Sequence, residues 1–258
     1  MSELLEVNNL TMNFKGLKAV SDFSVKLKEN MIYGLIGTNG AGKTTVINML
    51  SGVLKPSSGT VFFNGENITG LRPDKIAKKG ILRTYQNLRL FKKASALQNV
   101  IIGAQMHKSY NNIEAIFDLS RFRNEEKELE ASAMAMLRIL GIENYAKERA
   151  DSLPYGAQRK LEIARILAAS PRILLLDEPA AGMNPQESVE LVRMIKHIQE
   201  EFKLTILLIE HDMKVVMGLC EFIYVMATGQ IIAQGEPQVV RDDPKVIEAY
   251  LGRTRKDV

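Results

Sequence analysis

The chain contains no tryptophan and a single cysteine, Cys220. One thiol excludes an internal disulfide and any cysteine-cluster metal site. Cys220 reads instead as core filler beside Leu219 and Phe222. Aromatic residues make up only 6% of the chain, too few for a platform on which several bases could stack. No apolar run is long enough to span a bilayer, and the opening MSELLEVNNL lacks the pattern of a signal peptide. The expectation is a cytoplasmic chain, held at a membrane only through a partner. An excess of one charge is also missing: 34 Lys and Arg against 30 Asp and Glu leave a net +4. That balance permits an acidic lipid surface or a polyanionic ligand without demanding nucleic acid. No internal repeat, low-complexity tract or long linker interrupts the pattern.

What is present is enough for one large domain or two small ones, in 258 residues of which 46% are apolar. Short apolar runs alternate with helical patterns. LLEVNNL, FSVKL, MIYGLIG, TVFFNG, RILLLDE, TILLIEH, FIYVMATG and QIIAQG read as strands. Those beginning MIYGLIG, RILLLD and TILLIE are almost unbroken apolar runs, as strands buried on both faces should be. The expected fold is therefore α/β, with a mostly parallel core sheet covered by helices. The runs nearer the N-terminus alternate and predict an antiparallel portion. Residues 88–165 have few β-branched clusters and read as a helical subdomain inserted into this core. Within them Leu129, Ala133, Met136, Leu137 and Leu140 recur at helical spacing, which is most simply a core stripe. RNEEKELE reads as a solvated face. The charged tail, residues 252–258, is expected to fray.

The strongest chemical signal is GLIGTNGAGKTT. Gly37, Gly42, Lys43 and Thr44 fit G-x-x-x-x-G-K-[ST] between a strand ending near Ile36 and a helix TTVINMLSG. Such glycines let the backbone approach a phosphate and turn its amides inward. Lys43 supplies a point charge to the β- and γ-phosphates, and Thr44 can ligate Mg²⁺. The loop Gly37, Thr38, Asn39, Gly40, Ala41, Gly42, Lys43, Thr44 and Thr45 is the candidate ATP-binding set.

Downstream, RILLLDEPAAGMNP ends an apolar run in Asp177 and Glu178. A carboxylate at the tip of a buried strand suits a Mg²⁺ partner, and its neighbour can polarise an attacking water as general base. Without a phosphate loop upstream, the pair would read as solvated acids. TILLIEHD ends a third strand at His211, which by itself fits a surface residue or cap neighbour equally well. His107 and His197 carry no assigned role. Gln86 ends a short strand in ILRTYQ, where a neutral side chain could reach a metal or a water. Finally, DSLPYGAQRKLEIARIL (residues 151–167) runs a Pro-Tyr-Gly turn into an amphipathic helix that begins near Arg159. A small-residue turn before a helix N-terminus can hold an anion, though any surface loop can also precede a helix.

In this order, the phosphate loop, Gln86, LPYGAQ, LLLDE and His211 resemble the ATP-binding subunit of ABC transporters over almost the whole chain. The resemblance implies that Gln86 is the Q-loop glutamine and Asp177 the Mg²⁺-associated aspartate, with Thr44 and Gln86 as further metal partners. It implies that Glu178 is the catalytic glutamate and His211 the switch histidine near the γ-phosphate. Phe14 resembles the aromatic that stacks on adenine, while a strand-end core phenylalanine remains open for it. LPYGA stands where the family usually has Leu-Ser-Gly-Gly-Gln. Pro154, Tyr155, Gly156, Ala157 and Gln158 would then form the signature loop that faces ATP held by the opposite subunit. Pro154 removes a hydroxyl donor, Tyr155 replaces a glycine and Ala157 a glutamine. Gly156 and the helix N-terminus retain the backbone part of the interaction. Asn184 replaces the usual D-loop Asp but suits a helix N-cap followed by Pro185.

The departures themselves, with LLIEHDM and the ending VIEAYLG, resemble the ATPases of branched-chain amino-acid importers. The resemblance implies a Mg-ATP-driven dimer, homomeric or heteromeric, on the cytoplasmic face of the cell membrane. Its implied partners are a second ABC ATPase subunit, membrane permeases and, indirectly, an extracytoplasmic solute-binding protein, with no nucleic acid. Two rivals stay open: the ATPase of a lipid or lipopolysaccharide exporter, and a soluble ABC ATPase not linked to transport.

Overall fold

Alternating apolar residues turn one face of the first two strands inward. β1 (Glu3–Phe14) and β2 (Leu17–Lys28) pair antiparallel across the hairpin at Lys15 and Gly16, burying Leu5, Val7, Leu10, Val25 and Leu27. The computed structural model describes residues 3–86, 88–107 and 119–251. They form two units, one comprising residues up to Arg83 and from Arg172 onward, the other Thr84–Pro171.

In the first unit the unbroken apolar runs form a second sheet. β3 (Ile32–Gly37) leads into α1 (Lys43–Leu50); β4 (Ser58–Phe63) and β5 (Glu66–Asn67) complete the antiparallel sheet in the order β2-β1-β4-β5. After α2 (Pro73–Lys78) comes β6 (Ile81–Arg83), a strand of three residues. β7 (Ile173–Asp177), β8 (Thr205–Ile209), β9 (Phe222–Ala227) and β10 (Gln230–Gly235) finish the six-stranded sheet, ordered β10-β9-β3-β8-β7-β6. Only β10 runs antiparallel to its neighbour; the other pairs are parallel. Every residue of β3, β7 and β8 is buried, which explains why these strands do not alternate. One apolar cluster joins the inner face of the antiparallel sheet to β3, α1 and β9. Tyr224 also ties the two sheets together, because its hydroxyl donates to the Lys26 carbonyl at 2.8 Å.

The second unit is helical among its described residues and wider than the 88–165 stretch. α3 (Ala96–Ala104) opens with a capping box, Ser95 and Gln98 each accepting from the other's backbone N–H. α4 (Leu119–Ile139) and α5 (Tyr155–Leu167) follow. Leu129, Ala133, Leu137 and Leu140 are buried and Met136 half-buried, while Glu126, Lys127, Glu128 and Glu130 face solvent. The polar turn KSYNN and the tail at 252–258 lie outside the described residues.

The first unit closes with α6 (Pro185–Phe202), α7 (Met213–Leu219), α8 (Pro237–Arg241) and α9 (Pro244–Leu251). Asn184 is the N-cap of α6. Its side chain accepts from the amides of Gln186 and Glu187, and Pro185 takes the first helical position. Cys220 is buried against Gly34 of β3; a Cβ added at Gly34 would lie 2.9 Å from its sulfur.

Candidate active site

The loop between β3 and α1 is shaped by two glycines that no other residue could replace without strain. Gly42, the N-cap of α1, has φ 103°, and an added Cβ would stand 2.8 Å from the Ala19 carbonyl. At Gly37 an added Cβ would meet the Met226 carbonyl at 2.2 Å. Lys43 begins α1, and its ammonium turns back to donate to the carbonyls of Gly37 at 2.7 Å and Thr38 at 3.1 Å. Burial lowers the Lys43 pKa, and the charges of Glu178 and Asp177 oppose that shift.

No side chain caps α1 and its first turn holds no acid. The leading amides of the helix therefore leave a positive end at the loop. This end opens into a cleft of ≈ 560 Å³ lined by Asn39 through Thr45 with Leu17, Lys18, Ala19, Glu178, Thr228 and Gly229. The structure thus brings Lys43, Thr44 and Glu178 together. Phe14 is not part of this lining, and Thr38 meets it through its carbonyl, which accepts from Lys43. Phe14 ends β1, pairs with Leu17 across the hairpin and is exposed.

Asp177 ends β7 inside the protein, where its carboxylate meets Arg83 Nη2 at 2.7 Å. Arg83 also donates to Asn48 Oδ1 at 2.6 Å, so it links β7 to the phosphate-loop helix α1. Glu178 follows at φ 47°, a left-handed conformation unusual for a side chain of its length, and its amide donates to the Ile209 carbonyl. That turn aims Glu178 Oε1 to 3.8 Å from His211 Nδ1. His211 is exposed just beyond β8. Among the described residues no three His, Cys, Asp or Glu side chains cluster to hold a metal by themselves. The cleft itself offers the Thr44 and Thr45 hydroxyls and the Glu178 carboxylate, and next to Glu178 in the chain stands the Asp177 carboxylate, already paired with Arg83. This donor set suits a hard cation that completes its shell with phosphate oxygens and water.

In the helical unit two sequence expectations need correction. Gln86 does not end a strand: β6 stops at Arg83 and Gln86 sits exposed in a bend. The helix expected near Arg159 starts at Tyr155, with Pro154 as N-cap and the Gln158 amide donating to the Pro154 carbonyl. Tyr155, Gly156, Ala157 and Gln158 are thus the first turn of α5 rather than a loop. Ala157 faces inward, and the Gln158 amide group bonds back to the Leu153 carbonyl at 2.7 Å. Pro154, Tyr155 and the N-terminal end of α5 remain accessible.

Sequence reasoning passed over Glu210. It is almost completely buried, and it accepts from the amides of Ala180 at 2.9 Å and His211 at 3.1 Å. Burial raises its pKa, partly offset by these amides and that of Asp212. It therefore fastens the turn after Glu178 to the turn carrying His211. Arg83, Arg159 and Glu162 were missed in the same way. Arg83, Glu162 and Glu210 each stand against apolar neighbours, and that contrast is the signal that could have found them; Arg159, between Gln158 and Lys160, carries no such signal.

The family model described as ABC transporter matches residues 20–181, and that described as branched-chain amino acid ATP-binding cassette transporter matches 230–255. The chain is 45% identical to the high-affinity branched-chain amino acid transport ATP-binding protein BraF of Pseudomonas aeruginosa, covering 96% of this chain and 98% of that one. It is 42% identical to LivG of Escherichia coli, a protein of the same description, over the same shares of both chains. Among solved structures, the ADP conformation of MJ1267, an ATP-binding cassette of an ABC transporter, matches with TM-score 0.84 and 31% identity. That match covers 98% of this chain and all of the other. CbiO1 of Clostridium perfringens, part of an ABC transporter complex, matches with TM-score 0.80 and 28% identity, over 99% of this chain and 96% of that one. A nucleotide cleft built on this loop, in a chain so similar from end to end, places it plainly: the chain belongs to the ABC transporter ATP-binding proteins, in the branch described by branched-chain amino-acid transport.

Proposed function

We propose that this ABC ATPase powers import of branched-chain amino acids across the cytoplasmic membrane by closing, with a second ATPase subunit, over bound ATP. The observation that carries the reading is the cleft where Lys43, Thr44 and Glu178 converge. In this reading Lys43 and the α1 amides hold the β- and γ-phosphates, and Gly40 and Gly42 let the backbone approach them. Thr44, Asp177 and Gln86 hold Mg²⁺, which when bound neutralises charge developing on the transferred phosphoryl group. Glu178 accepts a proton from the attacking water. His211 lies beside Glu178 and orients the site toward the γ-phosphate. Phe14 covers the adenine from the end of β1.

The first turn of α5 presents its amides to ATP held by the partner subunit. Each nucleotide then bridges two chains, and its greater affinity for the closed pair drives closure. The helical unit passes that motion to membrane permeases, which receive solute from an extracytoplasmic binding protein. Among the described residues no helix is long and apolar enough to cross a membrane. Attachment through permeases at the cytoplasmic face rests on the relatives, whose names make them ATP-binding proteins of transport systems. The amino-acid specificity rests on the relatives alone, because the solute touches other subunits.

The test has two arms. Mg-ATP at a hundredfold excess over its dissociation constant should stabilise the chain by about 2.7 kcal/mol, and Lys43→Ala should lose most of that gain. An equal shift in both proteins overturns nucleotide binding at this loop. In proteoliposomes holding the assembled transporter, leucine, isoleucine or valine with the binding protein should accelerate ATP hydrolysis. Acceleration by a lipid or lipopolysaccharide instead would make the chain an exporter ATPase.

A further inference from the structure

Within the helical unit, the segment that carries Gln86 has no strand or helix to hold it: residues 84–90 form no regular element among those described. Several of its backbone groups are bonded by two buried charges of α5. Arg159 donates from Nη1 to the Tyr85 carbonyl at 3.2 Å and from Nη2 to the Gln86 carbonyl at 3.1 Å. Glu162, one turn further on, accepts from the Arg89 amide at 3.2 Å. The two charges face each other at 3.7 Å, and their side chains are only 6% and 1% exposed.

The same guanidinium reaches the beginning of its helix. Arg159 Nε donates to the Tyr155 hydroxyl at 3.1 Å, and the guanidinium carbon lies 5.4 Å from the centre of the Tyr155 ring. Tyr155 is the residue that stands where the resemblance expects a glycine. Its size is explained here: a glycine could offer Arg159 neither ring nor hydroxyl. A planar fork with several fixed donors suits this task, whereas lysine, a single point charge, could not serve three acceptors in these directions.

We propose that Arg159 and Glu162 are positioning residues that lock the Gln86 segment to the first turn of α5, so that Gln86 and Tyr155 report to each other as one body. The proposal rests on the functional reading above, in which Gln86 faces nucleotide of its own chain and Tyr155 that of the partner. It gives this chain a direct path between the two, through a residue the usual signature lacks. A network held by two buried charges also costs desolvation, which an apolar pair would not incur. The lock accounts for keeping it.

Amide hydrogen exchange on the full-length chain, without nucleotide, tests the lock independently of activity. In Arg159→Lys and in Glu162→Gln, exchange in residues 84–90 should rise at least tenfold, while residues 37–50 exchange as in the wild type. Tyr155→Phe, which removes one oxygen, should instead raise exchange at the Gln158 amide, the first of α5 to hold an intrahelical bond. Unchanged exchange at 84–90 in both charge variants, each shown to be folded, overturns the proposal. The second arm adds Mg-ATP and measures kcat and the ATP dissociation constant. Arg159→Lys should bind ATP within about twofold of wild type and lose at least tenfold in kcat, because the phosphates are held by Lys43 and the α1 amides of the other unit, whereas closure uses the lock. A loosened segment with full kcat overturns the coupling. A wild-type chain that does not bind ATP overturns the functional reading instead, with the exchange result still standing.

Discussion

Arg83 Nη2 lies 2.7 Å from Asp177 Oδ2, and both side chains are more than nine-tenths buried. The aspartate assigned to Mg²⁺ is therefore held on one side by a fixed cation. The same guanidinium anchors on Asn48 and, at 3.3 Å, on Ser51 of the phosphate-loop helix and its C-cap. The pair sets where Asp177 stands relative to Lys43.

Removing one partner of a buried ion pair strands the other charge, at a cost of about 3–5 kcal/mol. Arg83→Met should lose that much in urea unfolding. Adding Asp177→Asn to it should recover a good part of the loss, since the buried negative charge is then removed as well. Simple additivity of the two substitutions would show that the pair is not coupled.

Glu178→Gln preserves the shape of the turn but cannot take a proton. ATP binding should be retained while turnover falls by roughly a hundredfold or more, and the ATP-closed dimer should accumulate. His211→Ala should lose hydrolysis with little loss of binding. Near-normal phosphate release in Glu178→Gln would move the base elsewhere.

Burial raises the pKa of Glu210 above its ordinary value of 4.5. The folded protein then holds this proton more tightly than the unfolded chain does. Its contribution is fully present below the unfolded pKa and is lost as pH rises through the folded one. Glu210→Gln should flatten that part of the stability profile, measured by urea unfolding at steps from pH 4.5 upward. Glu162, raised by the same cause, should leave a second slope of the same sign in the variant. An identical profile in wild type and Glu210→Gln would place the titration on other groups.

Gly156 has open space around its Cα and sits in the first turn of α5. An aspartate there faces a helix N-terminus, which favours it by about 0.3–1 kcal/mol. Gly156→Asp should therefore melt no lower than wild type and bind ATP normally. It should nonetheless abolish ATP-driven dimerisation and hydrolysis, because its carboxylate would meet the partner's phosphate. Mixing it with Lys43→Ala should restore some activity where the chain pairs with itself, since one composite site has both halves intact. Loss of ATP binding by folded Gly156→Asp would assign the turn to its own nucleotide.

The phosphate loop, the Asp177–Glu178 strand end and the parallel core were legible because each rests on local spacing. GKT at a strand-to-helix junction and ILLLD as a buried strand need no distant partner to be recognised. The start of α5 was misread because Pro154 and Gly156 are turn formers by composition. At a helix start, however, Pro lacks only an amide that would be unpaired anyway. ILRTYQ was read as a strand through Gln86 for a related reason. Its last residues give their carbonyls to Arg159, more than seventy residues away, rather than to a neighbouring strand. Glu210 and Arg83 escaped because their partners come together only in the folded sheet.

β6 and β7 are parallel neighbours, so the chain leaving one must travel back along the sheet before it can enter the other. In most such sheets a single helix makes that return. Here the whole of Thr84–Pro171 occupies the crossover. The helical unit is thus a single insertion: it leaves the first unit after Arg83 and returns at Arg172, and the two strands it separates, β6 and β7, still pair directly. A lineage could vary the rest of this insertion while keeping Gln86 and the first turn of α5, because the loop that carries Lys43 and Thr44 lies wholly in the other unit.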